Sequence, residues 1–411
     1  MRNAHVLQIA LFGLFGCGNT GNDGSLEAAL AFLRVACPDA VVTCICANPE
    51  RIERTFGIRA LGFGLAGLRQ GLMDRLLPRK LENCLRIFRH RRDFDVLLFP
   101  GTGILDDFGA GPWSIPLTIL GWCLAARIGG ARIAFVSIGA GPIHHPVSRR
   151  LMKWAARLAQ YRSYRDTVSR QYMDGIGFDV RGDEIFPDLA FGLPVPNRPA
   201  RPAGARLVVG VGVMSYYGWS HDRVRGHDIY TAYLGKLRSF VQWLLDQGHG
   251  VRLLMGDTED RAAVDDLMGM LAPGAVVAAP ALSLHEVMEH IAETDVVVAT
   301  RFHNVVCALK LGRPTVSISY ASKNDALLAD MGLGEFCQQI ETFDVGLLID
   351  QFTRLVRDRA SHERQIRQVV QSYAERLRRQ EITLATDVLN HSGAAAISGP
   401  PEHLRETGVP L

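Results

Sequence analysis

Two side chains suited to anion and proton chemistry lie two residues apart in the second half of the sequence. Arg301 carries a planar guanidinium that matches phosphate and carboxylate groups, and His303 carries an imidazole that exchanges a proton near neutral pH. Asn304 follows directly. The pattern indicates an anion site with acid/base capacity. In the alternative interpretation, Arg301 pairs with a neighbouring carboxylate and His303 packs without a chemical role.

The surrounding stretch predicts the elements that hold this pair. Residues 295–300 contain an apolar run of the length of a strand buried on both faces. Residues 305–311 repeat apolar side chains at helical spacing, and Gly312 and Pro314 end the helix. The pair therefore falls between the carboxyl end of a strand and the amino end of a helix, where α/β proteins bind anions.

Length and composition describe a protein of two or three domains. The chain has 411 residues, of which 48% are hydrophobic and 21% are charged. The net charge of +3 is too small to indicate nucleic acid as the main partner. Eight cysteines show neither CxxC pairs nor zinc-site spacing, so we expect no metal centre and a reducing, cytoplasmic location.

The apolar stretches of the sequence do not predict a membrane span. Residues 115–128 fall short of the ~20 residues that a span requires, and we interpret them as a buried helix. No small-residue cleavage site follows residues 1–16, so residues 5–14 predict a first strand rather than part of a secretory signal.

A basic segment, residues 57–92, is predicted to be helical. Its last part contains four arginines, Arg86, Arg89, Arg91 and Arg92. We expect a solvated helix end here. Phosphates of a lipid-linked acceptor or an anionic membrane surface are the alternative partners of this cluster.

The alternation of strands and helices predicts two Rossmann-like domains with parallel sheets. Residues 1–193 form the first domain, the Pro-rich residues 194–204 form a linker, and residues 205–345 form the second domain. Residues 346–390 are predicted to be C-terminal helices, and residues 391–411 a disordered tail.

A glycine-rich stretch follows the first predicted strand. Gly16, Gly18 and Gly21 spell GxGxxG, the fingerprint of a dinucleotide site. That fingerprint requires an acidic residue at the tip of the second strand, and residues 47–49 at that tip contain none. The indication of NAD is therefore weak. The polar residues of the stretch can cap the following helix and contact a ligand: Asn19, Asn22 and Asp23.

Three further polar residues follow predicted strands, at the edge of the sheet where ligands bind. Arg165 and Asp188 each follow a short strand of the first domain. Lys323 lies at a helix start in the second domain, as a second cation of the site or as an exposed lysine.

Motifs along the chain together resemble the polysaccharide pyruvyl transferase family. The resemblance covers nearly all of residues 5–335 and rests on GCGNTGNDGSLEA, PGTGILDD, IGAGPI, YRDTVSRQYM, FPDLAF and TRFHNVVCALKLGRPTVSISYASKNDALLADMGL. Two positions depart from the family pattern. Phe302 stands where Leu is common, and Ser322 precedes Lys323 where an acidic residue is frequent. The resemblance implies an α/β fold of two Rossmann-like domains facing across a cleft, similar to the glycosyltransferase B architecture.

The resemblance also implies a reaction. A pyruvyl group would pass from phosphoenolpyruvate to hydroxyls of a sugar in an exopolysaccharide or cell-envelope glycan, as a ketal, with release of phosphate. The reaction requires no cofactor and no metal. The expected partners are phosphoenolpyruvate and a sugar or lipid-linked oligosaccharide, with a peripheral position at the membrane surface left open.

Site roles follow from the resemblance. His303 would carry protons, and Asp188 is the second catalytic candidate. The residues expected to bind the donor are Arg301, Phe302, Asn304, Arg165 and Lys323. The residues expected to bind the acceptor are Gly18, Asn19, Gly21, Asn22 and Asp23.

Two other functions stay open. A nucleotide-sugar-dependent glycosyltransferase of the same architecture would use the same anion site and add a carboxylate for the ribose, for which Glu286 or Glu335 is available. A non-catalytic sugar- or anion-binding protein would have no need of the proton carrier His303. A dehydrogenase would rest on the GxGxxG pattern alone.

Overall fold

The computed structural model describes residues 6–63, 84–107, 111–197, 206–218 and 223–389. The chain divides into two compact units. Unit 1 comprises Met1–Cys17, Ser25–Gly192 and Glu375–Leu411, and unit 2 comprises Gly18–Gly24 and Leu193–Ala374. The predicted tail, most of the predicted linker and the first residue of the predicted first strand lie outside the described residues.

Unit 1 is built on a parallel sheet of seven strands in the order β3-β2-β1-β4-β5-β6-β7. Its strands are β1 Gln8–Phe12, β2 Val41–Cys46, β3 Arg59–Gly62, β4 Val96–Pro100, β5 Arg132–Ile138, β6 Tyr161–Tyr164 and β7 Glu184–Ile185. Its helices include Pro49–Phe56, Ile115–Gly129, Pro146–Leu158 and Thr167–Gly175, and residues 84–89 are helical. The helix Thr20–Ala36 belongs to unit 1 from Ser25 onward, and its start belongs to unit 2.

The core of unit 1 lies on both faces of this sheet. Along β1, Ile9 and Leu11 pack into one cluster of buried side chains, whereas Ala10 and Phe12 pack into another. This alternation explains why the strand reads as a continuous apolar run, because a strand covered on both faces needs apolar residues at every position.

Two sequence expectations in unit 1 differ from the structure. The segment predicted to be helical from residue 57 contains the edge strand β3, whose four residues are too few for a strand pattern to be recognised. The helix Ile115–Gly129 is buried on one face, through residues such as Ile119 and Trp122, but the stripe that carries Leu124 and Ile128 is exposed.

Unit 2 has a parallel sheet of six strands in the order β10-β9-β8-β11-β12-β13. Its strands are β8 Val208–Gly212, β9 Gly250–Leu254, β10 Val277–Ala279, β11 Val296–Ala299, β12 Thr315–Ser319 and β13 Cys337–Gln339. Its helices include Arg223–Asp246, Arg261–Gly269, Leu284–Ala292, Phe302–Lys310, Ser322–Asp330 and Val345–Arg357.

Both sheets share the strand order of the Rossmann fold. In this order, strands are first added on one side of the first strand and then on its other side. In unit 2 this switch lies between β8 and β11. Ligands of open α/β sheets bind at the carboxyl ends of the strands at such a switch. The predicted α/β class with two parallel sheets is confirmed.

The last helix, Arg359–Thr383, contributes to both units, since its residues from Glu375 onward belong to unit 1. There the buried Gln380 accepts a hydrogen bond from Ser137 (3.0 Å) and donates one to Ser163 (2.8 Å) at the ends of β5 and β6. Among the described residues, no helix is long and apolar enough to cross a membrane.

Candidate functional site

The pair Arg301 and His303 lies between a strand end and a helix start, as predicted, and the strand order places that strand at the switch point of unit 2. Strand β11 ends at Ala299, and the helix Phe302–Lys310 begins three residues later with Arg301 as its N-cap in extended conformation. The first turn of a helix presents N–H groups and a partial positive charge, which favour an anion.

The guanidinium of Arg301 is held by Asp260. Its Nε lies 2.9 Å from Oδ2, and its Nη2 lies 2.6 Å from Oδ1, so the carboxylate is bound in a bidentate manner. Asp260 is fully buried and also accepts a hydrogen bond from the backbone N–H of Ser215. Burial alone would lower the pKa of Arg301, but the hydrogen bonds and charge of Asp260 outweigh it and raise that pKa. Arg301 is therefore a fixed, oriented cation.

A second carboxylate, Asp257, lies near the remaining nitrogen of the guanidinium. Its Oδ2 is 4.0 Å from Nη1 of Arg301 and accepts a 3.1 Å hydrogen bond from the amide of Asn19. Asn19 in turn accepts from the backbone N–H groups of Gly21 and Asn22, which caps the helix Thr20–Ala36. The helix start of the glycine-rich stretch is thus linked to Arg301 inside unit 2.

The imidazole of His303 packs against the backbone of Gly21. A methyl group on Gly21 would lie 1.8 Å from Nδ1, so only glycine leaves room for the ring. The ring of Phe302 stands edge-on to it, with centroids 5.2 Å apart. Gly18 has a similar relation to Thr258, whose Oγ1 would lie 2.2 Å from a Cβ there. Both glycines therefore have a packing reason, while their role in acceptor binding stays a prediction.

Asn304 places a buried amide in the first turn of the same helix. The residue is fully buried, and its Oδ1 would lie 2.8 Å from a Cβ on Gly256. Within the described part of the chain, neither Oδ1 nor Nδ2 has a hydrogen-bond partner. Buried amides are normally paired, so this one marks a place where a polar ligand would be stabilised.

Lys323 brings a positive charge close to the start of the helix Phe302–Lys310. It lies in the first turn of the helix Ser322–Asp330, which follows β12, the neighbour of β11. Its ammonium group lies 5.3 Å from the ring centroid of Phe302 and 4.9 Å from that of Tyr320, within the range of cation–π contacts. Phe302 thus helps to position the lysine as well as the histidine.

Arg165 and Asp188 come together in unit 1. Arg165 follows β6, and its Nη1 lies 3.3 Å from Oδ2 of Asp188. Both side chains are almost fully buried. Glycines of two neighbouring loops make room for the guanidinium, since a Cβ on Gly139 would lie 2.6 Å from Nη2 and one on Gly103 would lie 3.5 Å away.

Asp188 is therefore held as part of an ion pair. Its second oxygen accepts a 3.0 Å hydrogen bond from the backbone N–H of Ala190. Both oxygens of the carboxylate are therefore engaged, an arrangement that suits a role in orienting the guanidinium of Arg165. The assignment of Asp188 as a catalytic residue stays a prediction.

Two residues of the site were not singled out from the sequence. Asp257 and Asp260 follow β9, which neighbours β8 in the sheet. The sequence did contain an indication of these residues, because two acidic side chains follow a buried strand, next to a glycine that favours a turn. The contact of these two carboxylates with Arg301 depends on the order of strands in the sheet, which a single sequence does not reveal.

The predicted acceptor residues Asn22 and Asp23 lie in the first turn of the helix Thr20–Ala36.

Comparison with protein families decides the affiliation. The profile described as polysaccharide pyruvyl transferase matches residues 19–322, well over half of the chain. The chain belongs to the polysaccharide pyruvyl transferase family. Family membership assigns it to the transferases of polysaccharide biosynthesis. The matched region contains the candidate donor-binding, acceptor-binding and catalytic residues except Gly18, which directly precedes it, and Lys323, which directly follows it. No curated protein matches the sequence.

Solved structures show the same fold at low sequence identity. A glycosyltransferase from Rickettsia africae has a TM-score of 0.59 at 8% identity, covering 94% of this chain and 100% of the other. The UDP-GlcNAc 2-epimerase from Neisseria meningitidis has 0.55 at 11%, covering 90% and 99%. A lipopolysaccharide outer core galactosyltransferase has 0.55 at 12%, covering 92% and 99%. These likenesses confirm the glycosyltransferase B-like fold class.

In the described parts of the chain, no three His, Cys, Asp or Glu side chains are grouped as a metal site requires. The polar groups of the candidate site are instead arginine, lysine, histidine, amide and paired carboxylates.

Proposed function

We propose that the chain transfers a pyruvyl group from phosphoenolpyruvate to two hydroxyls of a sugar in an exopolysaccharide or cell-envelope glycan, forming a ketal and releasing phosphate. The observation that carries the proposal is the placement of an oriented arginine and a histidine at the amino end of one helix, at the switch point of a sheet, in a member of this family.

The donor would be bound through its two anionic groups. Asp260 occupies two nitrogens of Arg301 and fixes the plane of the guanidinium. An anion would therefore meet the Nη1 side, next to the Asp257 carboxylate that lies 4.0 Å from Nη1. Because Asp257 and Asp260 offset the charge of Arg301, Lys323 supplies the extra positive charge for a phosphate or carboxylate. The helix start and the buried amide of Asn304 add donors that favour an anion.

The reaction requires proton transfers at carbon and at oxygen. A proton added to the methylene carbon of phosphoenolpyruvate leaves a cationic centre at the carbon that bears the phosphate. One acceptor hydroxyl attacks that carbon and loses its proton. The C–O bond to phosphate then breaks, and the second hydroxyl closes the ketal with loss of its own proton. Histidine is the side chain that enzymes most often use as a general acid and base, and we assign these proton transfers to His303.

In this scheme Arg165 and Asp188 serve unit 1 as a buried cation and its orienting carboxylate. The helix start with Asn19, Asn22 and Asp23 offers amide and carboxylate groups of the kind that bind sugar hydroxyls, and we assign it to the acceptor. Asn19 already bonds Asp257, so its remaining contacts would have to be shared with the sugar.

The test is phosphate release from phosphoenolpyruvate in the presence of a panel of hexose glycosides, with mass detection of the ketal. His303→Gln should lower kcat about 10²- to 10⁴-fold, the range of general acid/base catalysis, with little change in donor affinity. His227→Gln is the control, because His227 is an exposed histidine of the same unit.

Wild-type turnover by His303→Gln would overturn the acid/base assignment. Turnover of a nucleotide sugar, with phosphoenolpyruvate inert, would overturn the proposed donor and favour a glycosyltransferase.

A further inference from the structure

The helix Ile115–Gly129 of unit 1 carries a stripe of apolar residues that the core covers only at its amino-terminal end, where Leu117 packs against it. Leu117, Gly121, Leu124 and Ile128 recur at intervals of four, three and four residues, so they lie along one side of the helix. Leu124 is 42% exposed and Ile128 is 63% exposed. An apolar stripe of this length on the surface is unusual because it faces water without a polar side chain in its course.

Neighbouring residues extend the stripe into a groove. Leu85 and Phe88, from the helical residues 84–89, and Trp113, just before the helix, are each more than 40% exposed. Ile87 packs across Gly121, where a Cβ would lie 3.5 Å from its Cδ1. Ile87, Phe88 and Trp113 line a groove of about 280 Å³ together with residues of the stripe, and Leu85 lies beside it in the sequence. We call the exposed residues the apolar patch: Leu85, Phe88, Trp113, Leu124 and Ile128.

Arginines lie next to the residues of the apolar patch along the chain. They alternate with its apolar residues along residues 84–92, and one more lies in the last turn of the neighbouring helix. Arg91 stacks on Phe88, with the guanidinium carbon 4.5 Å from the ring centroid. Asp93 is the exposed acidic residue at this end, and it bonds His90. The arginines of this rim are Arg86, Arg89, Arg91, Arg92 and Arg127.

We propose that this surface docks the protein onto an anionic lipid bilayer. The apolar patch would enter the level of the lipid headgroups, and the arginine rim would contact their phosphates. Three observations favour a membrane over another occupant. The rim is positive, whereas the surface of an anionic bilayer is negative. A tryptophan lies at the edge of the patch, and such rings favour the membrane interface. The apolar residues and arginines are intermixed, as in helices that lie in the interface plane.

This proposal is independent of the reaction and of the residues in unit 2. It does not require a membrane span, because insertion to the headgroup level uses only side chains of a surface helix.

The experiment is flotation of the full chain with vesicles of phosphatidylcholine, with and without phosphatidylglycerol, at low and high salt. The wild type should float with the anionic vesicles at low salt and dissociate at high salt. Brominated lipids should quench tryptophan fluorescence of the bound protein, and Trp113→Phe should remove most of that quenching. Trp113→Phe keeps an aromatic ring at an exposed position, so it should leave folding intact.

Two double variants separate the contributions. Arg89→Gln with Arg92→Gln removes two charges and should weaken binding to anionic vesicles roughly 30-fold. Trp113→Ser with Ile128→Ser should weaken binding by at least about tenfold, because each side chain loses apolar contact with the lipid.

The matched controls lie on the helix Pro146–Leu158 of the same unit. Trp154→Ser removes a tryptophan that is 53% exposed, and Arg150→Gln with Arg157→Gln removes two exposed arginines. These variants should bind vesicles like the wild type. The proposal is overturned if the wild type binds no anionic vesicle at low salt, or if the patch variants bind as well as the controls.

Analytical sedimentation measures the oligomeric state and tests whether a second copy of the chain covers the patch instead of a membrane. A wild-type chain that dimerises, with dimerisation lost in Trp113→Ser and Ile128→Ser and no binding to vesicles, would assign the patch to self-association instead of a membrane.

Discussion

Gly21 offers a direct test of the role of His303, because its backbone touches the imidazole. In Gly21→Ala, the new methyl group would lie 1.8 Å from Nδ1 and 2.1 Å from Cγ of His303. Ordinary van der Waals contact begins near 3.4 Å. The ring must therefore retreat by more than about 1.5 Å, and the helix that carries Gly21 is fixed by the hydrogen bonds of Asn19.

The expected cost falls on turnover. A displacement of about 1 Å in a reacting group can cost about 100-fold in rate, so kcat should fall about 100-fold or more. Donor affinity should change less than kcat, because the three atoms nearest to the new methyl group all belong to His303 and none to Arg301 or Lys323. Stability should change little as well, since alanine favours a helix over glycine by about 1 kcal/mol and offsets part of the repacking.

The assay is ketal formation measured beside binding of phosphoenolpyruvate and thermal unfolding. Gly235→Ala is the matched control, since Gly235 lies inside the helix Arg223–Asp246 and a Cβ there meets no atom within 4 Å. It should stabilise the chain slightly and leave kcat unchanged. If Gly21→Ala keeps wild-type kcat, the position of the His303 ring is not needed for proton transfer, and the reasoning fails.

Two further predictions concern buried charges. Arg301→Met leaves the fully buried carboxylate of Asp260 without its counter-ion and should cost about 3–5 kcal/mol in urea unfolding, whereas Arg301→Met with Asp260→Asn should recover at least half; simple additivity would contradict this. Burial raises the pKa of Glu381 to about 7, above its unfolded value of about 4.3, so the folded chain keeps a proton that the unfolded chain releases and stability falls from about pH 4 to 7. Glu381→Gln should match the wild type at pH 4 and exceed it by up to about 3 kcal/mol at pH 8, and parallel pH profiles would refute this.

The position of the candidate site was predictable from local sequence. A short apolar run, a basic residue and a helical repeat are all local features, and they placed Arg301 and His303 between β11 and its following helix. The partner of Arg301 was not predictable in this way. Asp260 lies 41 residues earlier in the chain, and the order of strands in the sheet brings the two together.

The glycine-rich stretch shows a second limit of spacing arguments. The GxGxxG pattern indicates positions where another group can approach the backbone closely, but it does not identify that group. In this fold the atoms that approach Gly18 and Gly21 belong to Thr258 and His303. These two side chains follow strands of unit 2 that are far from the glycine-rich stretch in the sequence.

The helix Ile115–Gly129 shows a third limit. Its sequence is apolar on nearly every side, so periodicity predicts burial all round and contains no sign of an exposed stripe. Only the positions of the neighbouring elements reveal that Leu124 and Ile128 face outward. The exposed stripe was therefore found from the structure, and it carries the proposed membrane surface.

Calorimetric titration of the full chain with phosphoenolpyruvate tests the proposed donor most directly. Parallel titrations would use UDP-sugars and NAD, and Lys323→Gln would serve as a variant that keeps the buried Arg301–Asp260 pair intact. We predict saturable binding of phosphoenolpyruvate alone, weakened in Lys323→Gln because one positive charge is lost. Absence of phosphoenolpyruvate binding by the folded protein, or binding of a UDP-sugar in its place, would contradict the account.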